Sequence, residues 1–285
     1  MSVLRVDYQS DSANRNFVKS IKETGFAVLE NHPVDKNLID QAFDDWKGFF
    51  ALPEAEKQKF LFERDFEVVQ SGFFPQTVSE TAKGFTAKDL KEFFHYYPCA
   101  QKLPPCISEA TTNLRLELLK TAKVLLQWLE DFLPSHTRDE LSMPLTKMVD
   151  ETYQTLLRIL HYPPLPKTIE SESIRAQAHE DINLITLLVS PSSAGLEVLD
   201  TKGNWYEVPT ANNHITVNVG DMLQECSNHY YRATKHRVVN PKGQKDNLSR
   251  YSMPLFLHPR DEVSLSSQYT AKSYRNERLK ELGLL

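Results

Sequence analysis

Three short segments of this 285-residue chain carry side chains suited to one kind of chemistry. His179-Glu180-Asp181 and His236 supply two imidazoles and a carboxylate, the ligand set of a mononuclear non-haem iron(II) site that keeps coordination positions open. Arg250-Tyr251-Ser252 adds a guanidinium able to hold a carboxylated cosubstrate beside that metal. Together they point to an oxygen-activating enzyme.

Side chains alternate across a β-strand, so residues two apart share a face. On that rule His179 and Asp181 point into a barrel mouth together while Glu180 points away. A strand over Thr234 to Val238 would turn Thr234, His236 and Val238 inward and leave Lys235 and Arg237 outside. Arg250 and Ser252 share a face in the same way, with Tyr251 and Met253 opposite. In the run Leu156 to Tyr162, one alternating set is Leu156, Arg158, Leu160 and Tyr162. If that set faces inward, Arg158 is a cation inside an apolar barrel, where a charge is rarely buried without a partner. An anionic ligand and an interior carboxylate are the two candidate partners. His179-Glu180 also begins an HExxH zinc motif, but position 183 is Asn and the segment reads as a strand, which argues against a zinc hydrolase. His95, His136, His161, His214, His229 and His258 read as ordinary core or surface residues.

The elements that must position these groups follow from periodicity. From about Glu151 onward, β-rich segments alternate with turn residues: Gln154 to Tyr162, Ile174 to His179, Leu184 to Val189, Leu196 to Leu199, Trp205 to Val208, His214 to Val219, Tyr231 to Val239 and Arg250 to Leu257. Eight such strands suit a jelly roll. Lys202-Gly203 predicts a hairpin turn and Lys242 to Ser249 a loop. The first 150 residues read as mostly helical. Helices are predicted over Asn14 to Glu23, from an Asp35 cap to Phe50, and over Glu109 to Phe132, with a strand over Thr24 to Leu29. Gln70 to Pro75 reads as a loop holding Phe73 and Phe74, because Gly72 and Pro75 interrupt it. A last helix spans Tyr269 to Leu282. The expected architecture is α+β: an N-terminal helical and mixed region (1–150), a jelly-roll core (151–260) and a C-terminal helix (261–285), joined in one catalytic unit.

Composition narrows the function classes. Hydrophobic residues at 40% and charged residues at 25% fit a soluble globular chain. The net charge of −5, with no basic stripe, argues against nucleic-acid binding. With no apolar run of membrane-spanning or signal-peptide length, no membrane partner is expected, and a cytoplasmic location is the default. Cys99, Cys106 and Cys226 form neither a CxxC pair nor a disulfide framework. Glycine-rich dinucleotide and P-loop motifs are missing.

The ordered motifs make the chain similar to the isopenicillin N synthase-like family of iron(II)- and 2-oxoglutarate-dependent oxygenases. They are Glu23-Thr24-Gly25-Phe26 with Asn31-His32, Phe49 to Pro53, Asp89 to Glu92, Leu160 to Pro164, His179 to Leu188, Asn218 to Leu223, His236 to Pro241 and Arg250-Tyr251-Ser252. The resemblance implies a double-stranded β-helix core with His179, Asp181 and His236 as iron ligands. It also implies that 2-oxoglutarate chelates the metal while Arg250 and Ser252, helped by Tyr162, bind its distal carboxylate. Hydroxylation, desaturation or cyclisation of a small organic substrate by O2 would follow, releasing succinate and CO2. Phe73 and Phe74 would lie near the substrate, and Arg158 favours an anionic one. Departures from the family pattern include His32-Pro33 for His-Gly, Glu180, Asn183, Leu160, and a lengthened interval between His236 and Arg250. Two alternatives stand beside this reading. One is an iron oxidase of the same family that needs no 2-oxoglutarate; the other is a non-catalytic jelly-roll binding protein, disfavoured because all three ligands are present.

Overall fold

Period-two burial organises the computed structural model, which describes residues 2–64, 70–78, 89–100, 103–166, 174–209 and 211–281. The major sheet runs, in spatial order, β1 (Arg5–Asp7), β2 (Phe26–Glu30), β11 (Ile215–Val219), β8 (Ile185–Val189), β13 (Arg250–Leu257), β6 (Leu156–Tyr162), β5 (Glu92–Tyr96), β4 (Gln70–Phe74) and β3 (Glu63–Arg64). The minor sheet runs β10 (Trp205–Glu207), β9 (Leu196–Leu199), β12 (His236–Val238) and β7 (Ala176–His179). The major strands send alternate residues to two different cores. Ala27 and Leu29, Leu157 and Ile159, and Met253, Leu255 and Leu257 join the larger one, which also holds residues of the helices. Phe26, Val28, Leu160 and Tyr162 meet Ala176, Leu196, Val198 and Val238 of the minor sheet in the smaller one. That smaller core is the interior of the jelly roll.

The helices in chain order are α1 (Ala13–Thr24), α2 (Lys36–Phe50), α3 (Glu54–Lys57), α4 (Ala110–Asp131), α5 (Ser135–Asp139), α6 (Leu145–Met148), α7 (Asp221–Cys226) and α8 (Ala271–Glu281). Asp35 caps α2 by accepting the Asn37 N–H, as its sequence predicts. Trp46 ties α2 to α4 through a 3.0 Å hydrogen bond from its indole to Thr111 Oγ1. Leu114, Leu118, Leu125 and Leu129 of α4 are all fully buried, so this helix is the scaffold behind the sheet. Gly25 ends α1 in the left-handed region, with φ 74°, and a Cβ there would lie 2.3 Å from Thr234 Oγ1.

Several predicted elements change. Gln70–Phe74 is not a loop but strand β4, paired antiparallel with β5. The strand expected over Tyr231 to Val239 contracts to His236–Val238, because Asn228 and His229 adopt positive φ and the Gln224 side chain holds the Ala233 N–H. Thr234 therefore lies outside β12. Strands β1, β3 and β5 and the short helices α3, α5, α6 and α7 add to the predicted set. The final helix is described to Glu281, and Leu282 lies outside the described residues. No helix among the described residues is long and apolar enough to cross a membrane.

Candidate metal and cosubstrate site

β7 and β12 pair His179 directly with His236, setting their ring centroids 4.4 Å apart. Each Nδ1 lies against a backbone carbonyl two residues earlier, His179 at 2.7 Å from Gln177 O and His236 at 3.1 Å from Thr234 O. A carbonyl only accepts, so Nδ1 carries the proton and Nε2 presents its lone pair. Asp181 follows β7. Its Oδ2 accepts from Thr186 Oγ1 at 2.5 Å and from Asn218 Nδ2 at 2.8 Å. Oδ1 lies 3.8 Å from His179 Nε2 and 3.7 Å from His236 Nε2. One ligand atom from each residue lies within 4.8 Å of the others, a cluster able to hold a metal ion. Two neutral imidazoles and one carboxylate oxygen are a donor set that suits Fe(II). Glu180 is exposed and points away as expected, although β7 ends at His179 and the two residues after it are not in a strand.

The electrostatics agree with this protonation pattern. Desolvation, and then the neighbouring His236, push the His179 imidazole down to about 4. Burial alone would raise the Asp181 carboxyl, but the charge of His236 and His179 when protonated, and the hydrogen bonds from Thr186 and Asn218, outweigh it and lower its pKa. The local backbone is anchored by α7, whose Asp221 and Met222 N–H groups donate to the carbonyls of Asp181 and Asn183. Asn183 Nδ2 in turn donates to Thr186 Oγ1 at 2.9 Å. Gly220 precedes α7 at close quarters, since a Cβ there would lie 2.2 Å from both Asn183 oxygens.

At another place in the same interior, β6 and β13 align Tyr162 with Arg250 and Leu160 with Ser252. Arg250 is 1% exposed. Its Nε donates to Ser193 O at 3.1 Å, its Nη1 lies 3.5 Å from Ser252 Oγ, and its guanidinium carbon sits 5.1 Å from the Tyr162 ring centre. Among the described residues no carboxylate lies within 4 Å of it. Burial lowers its pKa, opposed by Tyr162 and reinforced by Arg175.

Arg158 does face inward, beside His95 in the β5–β6 ladder. Its Nε donates to His95 Nε2 at 2.9 Å, and its guanidinium carbon lies 4.9 Å from the Phe93 ring centre and 5.3 Å from that of Phe256. Phe74 lies in the interior core, stacked between Phe62 at 4.1 Å and Phe93 at 4.6 Å. Phe73 requires a correction. As the preceding residue of a strand rather than part of a loop, it faces the other way and packs, fully buried, against Phe49 and Phe50. Sequence reasoning missed Thr186 and Asn218, polar residues at inward strand positions, and the buried Arg175. Alternation along β8 and β11 was the signal available for the first two.

A jelly-roll interior with two histidines and one carboxylate converging near its rim is the layout of a mononuclear metal oxygenase. Residues 153–259 match the 2OG-Fe(II) oxygenase superfamily, and residues 4–115 match the family described as non-haem dioxygenase in morphine synthesis N-terminal. A 2-oxoglutarate-Fe(II) type oxidoreductase from Aspergillus fumigatus is 31% identical over 276 residues, covering 88% of this chain and 79% of the relative. Proline hydroxylase buaE from Petromyces alliaceus is 29% identical, covering 93% and 90%. A crystal structure from Shewanella oneidensis, described under the oxygenases, has a TM-score of 0.88 and 45% identity, with all of both chains covered. A full-length Neurospora crassa protein in complex with alpha-KG shares the fold, with a TM-score of 0.78, 21% identity, and 97% and 95% of the two chains covered. The chain belongs to the 2OG-Fe(II) oxygenase superfamily. It is a dioxygenase that uses Fe(II), 2-oxoglutarate and O2.

Proposed function

We propose that His179, Asp181 and His236 hold the Fe(II), and that Arg250 and Ser252, with Tyr162 beside them, hold the distal carboxylate of 2-oxoglutarate. A small organic substrate is then oxidised near Phe74, Phe93 and Arg158. The observation that carries this reading is a three-ligand cluster sharing one interior with a buried guanidinium that has no carboxylate near it among the described residues. Bound iron supplies the activation of O2, with 2-oxoglutarate leaving as succinate and CO2. The chain's own residues orient and exclude. Carbonyls of Gln177 and Thr234 fix the imidazole tautomers, Thr186 and Asn218 fix the carboxylate, and Leu160, Val198 and Val238 keep the interior apolar. Relatives act on, or are seen with, small molecules, as the proline hydroxylase and the Neurospora crassa complex with alpha-KG and thymine illustrate. Arg158 favours a carboxylated or otherwise anionic substrate, since a guanidinium at an apolar wall strengthens binding of such a group.

Anaerobic addition of 2-oxoglutarate to the Fe(II)-loaded protein is expected to give a visible charge-transfer band, and aerobic turnover to give succinate. Both should vanish in His179→Ala; full succinate formation in that variant would sink the metal assignment. Arg250→Ala should weaken 2-oxoglutarate binding by about tenfold or more, as truncating one side of a buried charge pair does. A wild-type protein that gives no band and binds no 2-oxoglutarate would favour an oxidase that draws all its electrons from the substrate. Unchanged substrate affinity in Arg158→Ala would count against an anionic substrate.

A further inference from the structure

A second arginine is buried at the cosubstrate end. Arg175, just before β7, is 2% exposed. Its Nη2 donates to Leu248 O at 2.7 Å, and its backbone N–H donates to Asn240 Oδ1 at 3.1 Å. Its Nε is buried without a hydrogen-bond partner, and among the described residues no carboxylate lies within 4 Å of its guanidinium. Leu248 stands two residues before Arg250, and Arg250 is aligned with Tyr162. Arg175 is thus tied to the turn that leads into the Arg250 strand, and its charge is felt at both Tyr162 and Arg250.

Two like charges that are neither solvated nor neutralised are costly in a protein interior. Buried lysines elsewhere are treated differently: Lys57 and Lys91 have Glu92 and Asp89 at 2.7 and 2.8 Å. Arg115 also binds a single backbone carbonyl and leaves its Nε unpartnered, but what sets Arg175 apart is that its hydrogen bond runs to Leu248, two residues before the buried Arg250. Holding Leu248 O needs one donor, which a neutral side chain could provide. The charge therefore calls for an anion.

We propose that Arg175 is a specificity-determining residue for the cosubstrate, a second positive charge behind Arg250 that makes the site select a dianionic 2-oxoacid over a monoanionic one. This rests on the assignment of Arg250 and Ser252 to the distal carboxylate. A 2-oxoacid ending in a methyl group leaves both guanidinium ions without an anion, whereas 2-oxoglutarate places a carboxylate where their fields add.

The test is the dissociation constants of 2-oxoglutarate and 2-oxovalerate, measured by calorimetry on Fe(II)-loaded protein under nitrogen. Arg175→Gln and Arg175→Met should each weaken 2-oxoglutarate by about tenfold while changing 2-oxovalerate by less than about twofold. Arg175→Lys keeps the charge and should stay within about threefold of wild type for 2-oxoglutarate. Equal losses for both acids, or no loss for either, would overturn the proposal. So would failure of both neutral variants to fold, because Arg175 would then be a strut for the Leu248 turn. Arg250→Ala, measured in parallel, separates the two readings. Unchanged 2-oxoglutarate affinity there removes the site assignment itself, whereas a loss at Arg250 with none at Arg175 removes only the present inference.

Discussion

At the scale of single residues, proton placement decides what the site can bind. Carbonyl contacts at both Nδ1 atoms leave His179 and His236 with Nε2 lone pairs, and the depressed His179 pKa keeps that ring neutral through physiological pH. These residues are legible in the sequence from their types and spacing, although Glu180 and Asp181 lie just past the end of β7 rather than within a strand. Thr186 and Asn218 are not, since a polar residue in an apolar strand carries no mark of what it touches. His258 offers a separate titration. Burial, and then Arg275, push its imidazole from 6.5 down to about 4. A folded-state value below the unfolded one gives stability that is complete above pH 6.5 and lost as pH falls toward 4. His258→Asn should therefore flatten the dependence of Tm on pH across that window, relative to wild type. An unaltered slope would remove His258 from the account.

At the scale of elements, short segments hold the site through contacts that local sequence does not reveal. α7 has six residues, too few for a helical period to show, yet its first N–H groups secure the Asp181–Asn183 turn. Gly220→Ala would drive a methyl into Asn183 and is expected to cost about 1–3 kcal/mol through overpacking, with weakened metal binding on titration. β4 reads as a loop in the sequence because Gly72 and Pro75 punctuate it; its strand character comes from pairing with β5, about twenty residues further along. On the outer side of β5 and β6, Lys57 Nζ donates to Glu92 at 2.7 Å, His161 Nδ1 donates to Glu92 at 2.7 Å, and His161 Nε2 meets Ser249 Oγ at 3.0 Å. This chain of polar groups ends beside Arg250. Glu92→Gln should leave Lys57 and His161 poorly matched and cost about 3 kcal/mol in denaturant unfolding. A loss well under 1 kcal/mol would mean that water replaces the carboxylate.

For the whole molecule, the notable arrangement is one major sheet serving two cores. Strands from the first hundred residues extend the sheet that carries Arg250, so the N-terminal region contributes to the same layer as the jelly-roll strands. The sequence discloses the jelly roll through its regular strand spacing and its family motifs. It does not disclose the full width of the major sheet, because β1, β4 and β5 are defined by distant partners rather than by their own periodicity. The helix-facing side neutralises its buried Lys57 with Glu92, whereas the interior holds Arg250 with no carboxylate within 4 Å among the described residues. Ligands should therefore raise overall stability through the interior. Fe(II) with 2-oxoglutarate at about a hundredfold over Kd is expected to add about 2.7 kcal/mol, seen as a higher Tm in wild type and not in His179→Ala. An equal rise in both would place the stabilising ligand elsewhere.

The two hydrogen bonds to Asp181 Oδ2 also fix the denticity of the carboxylate. With Thr186 and Asn218 occupying one oxygen, Asp181 can offer a metal only Oδ1. Each histidine likewise has only Nε2 to give, so these three residues would contribute one bond each. A metal held by these three atoms would remain open to further ligands. Two ordinary polar side chains, a threonine and an asparagine, would thereby limit how much of a bound metal's coordination this carboxylate takes up.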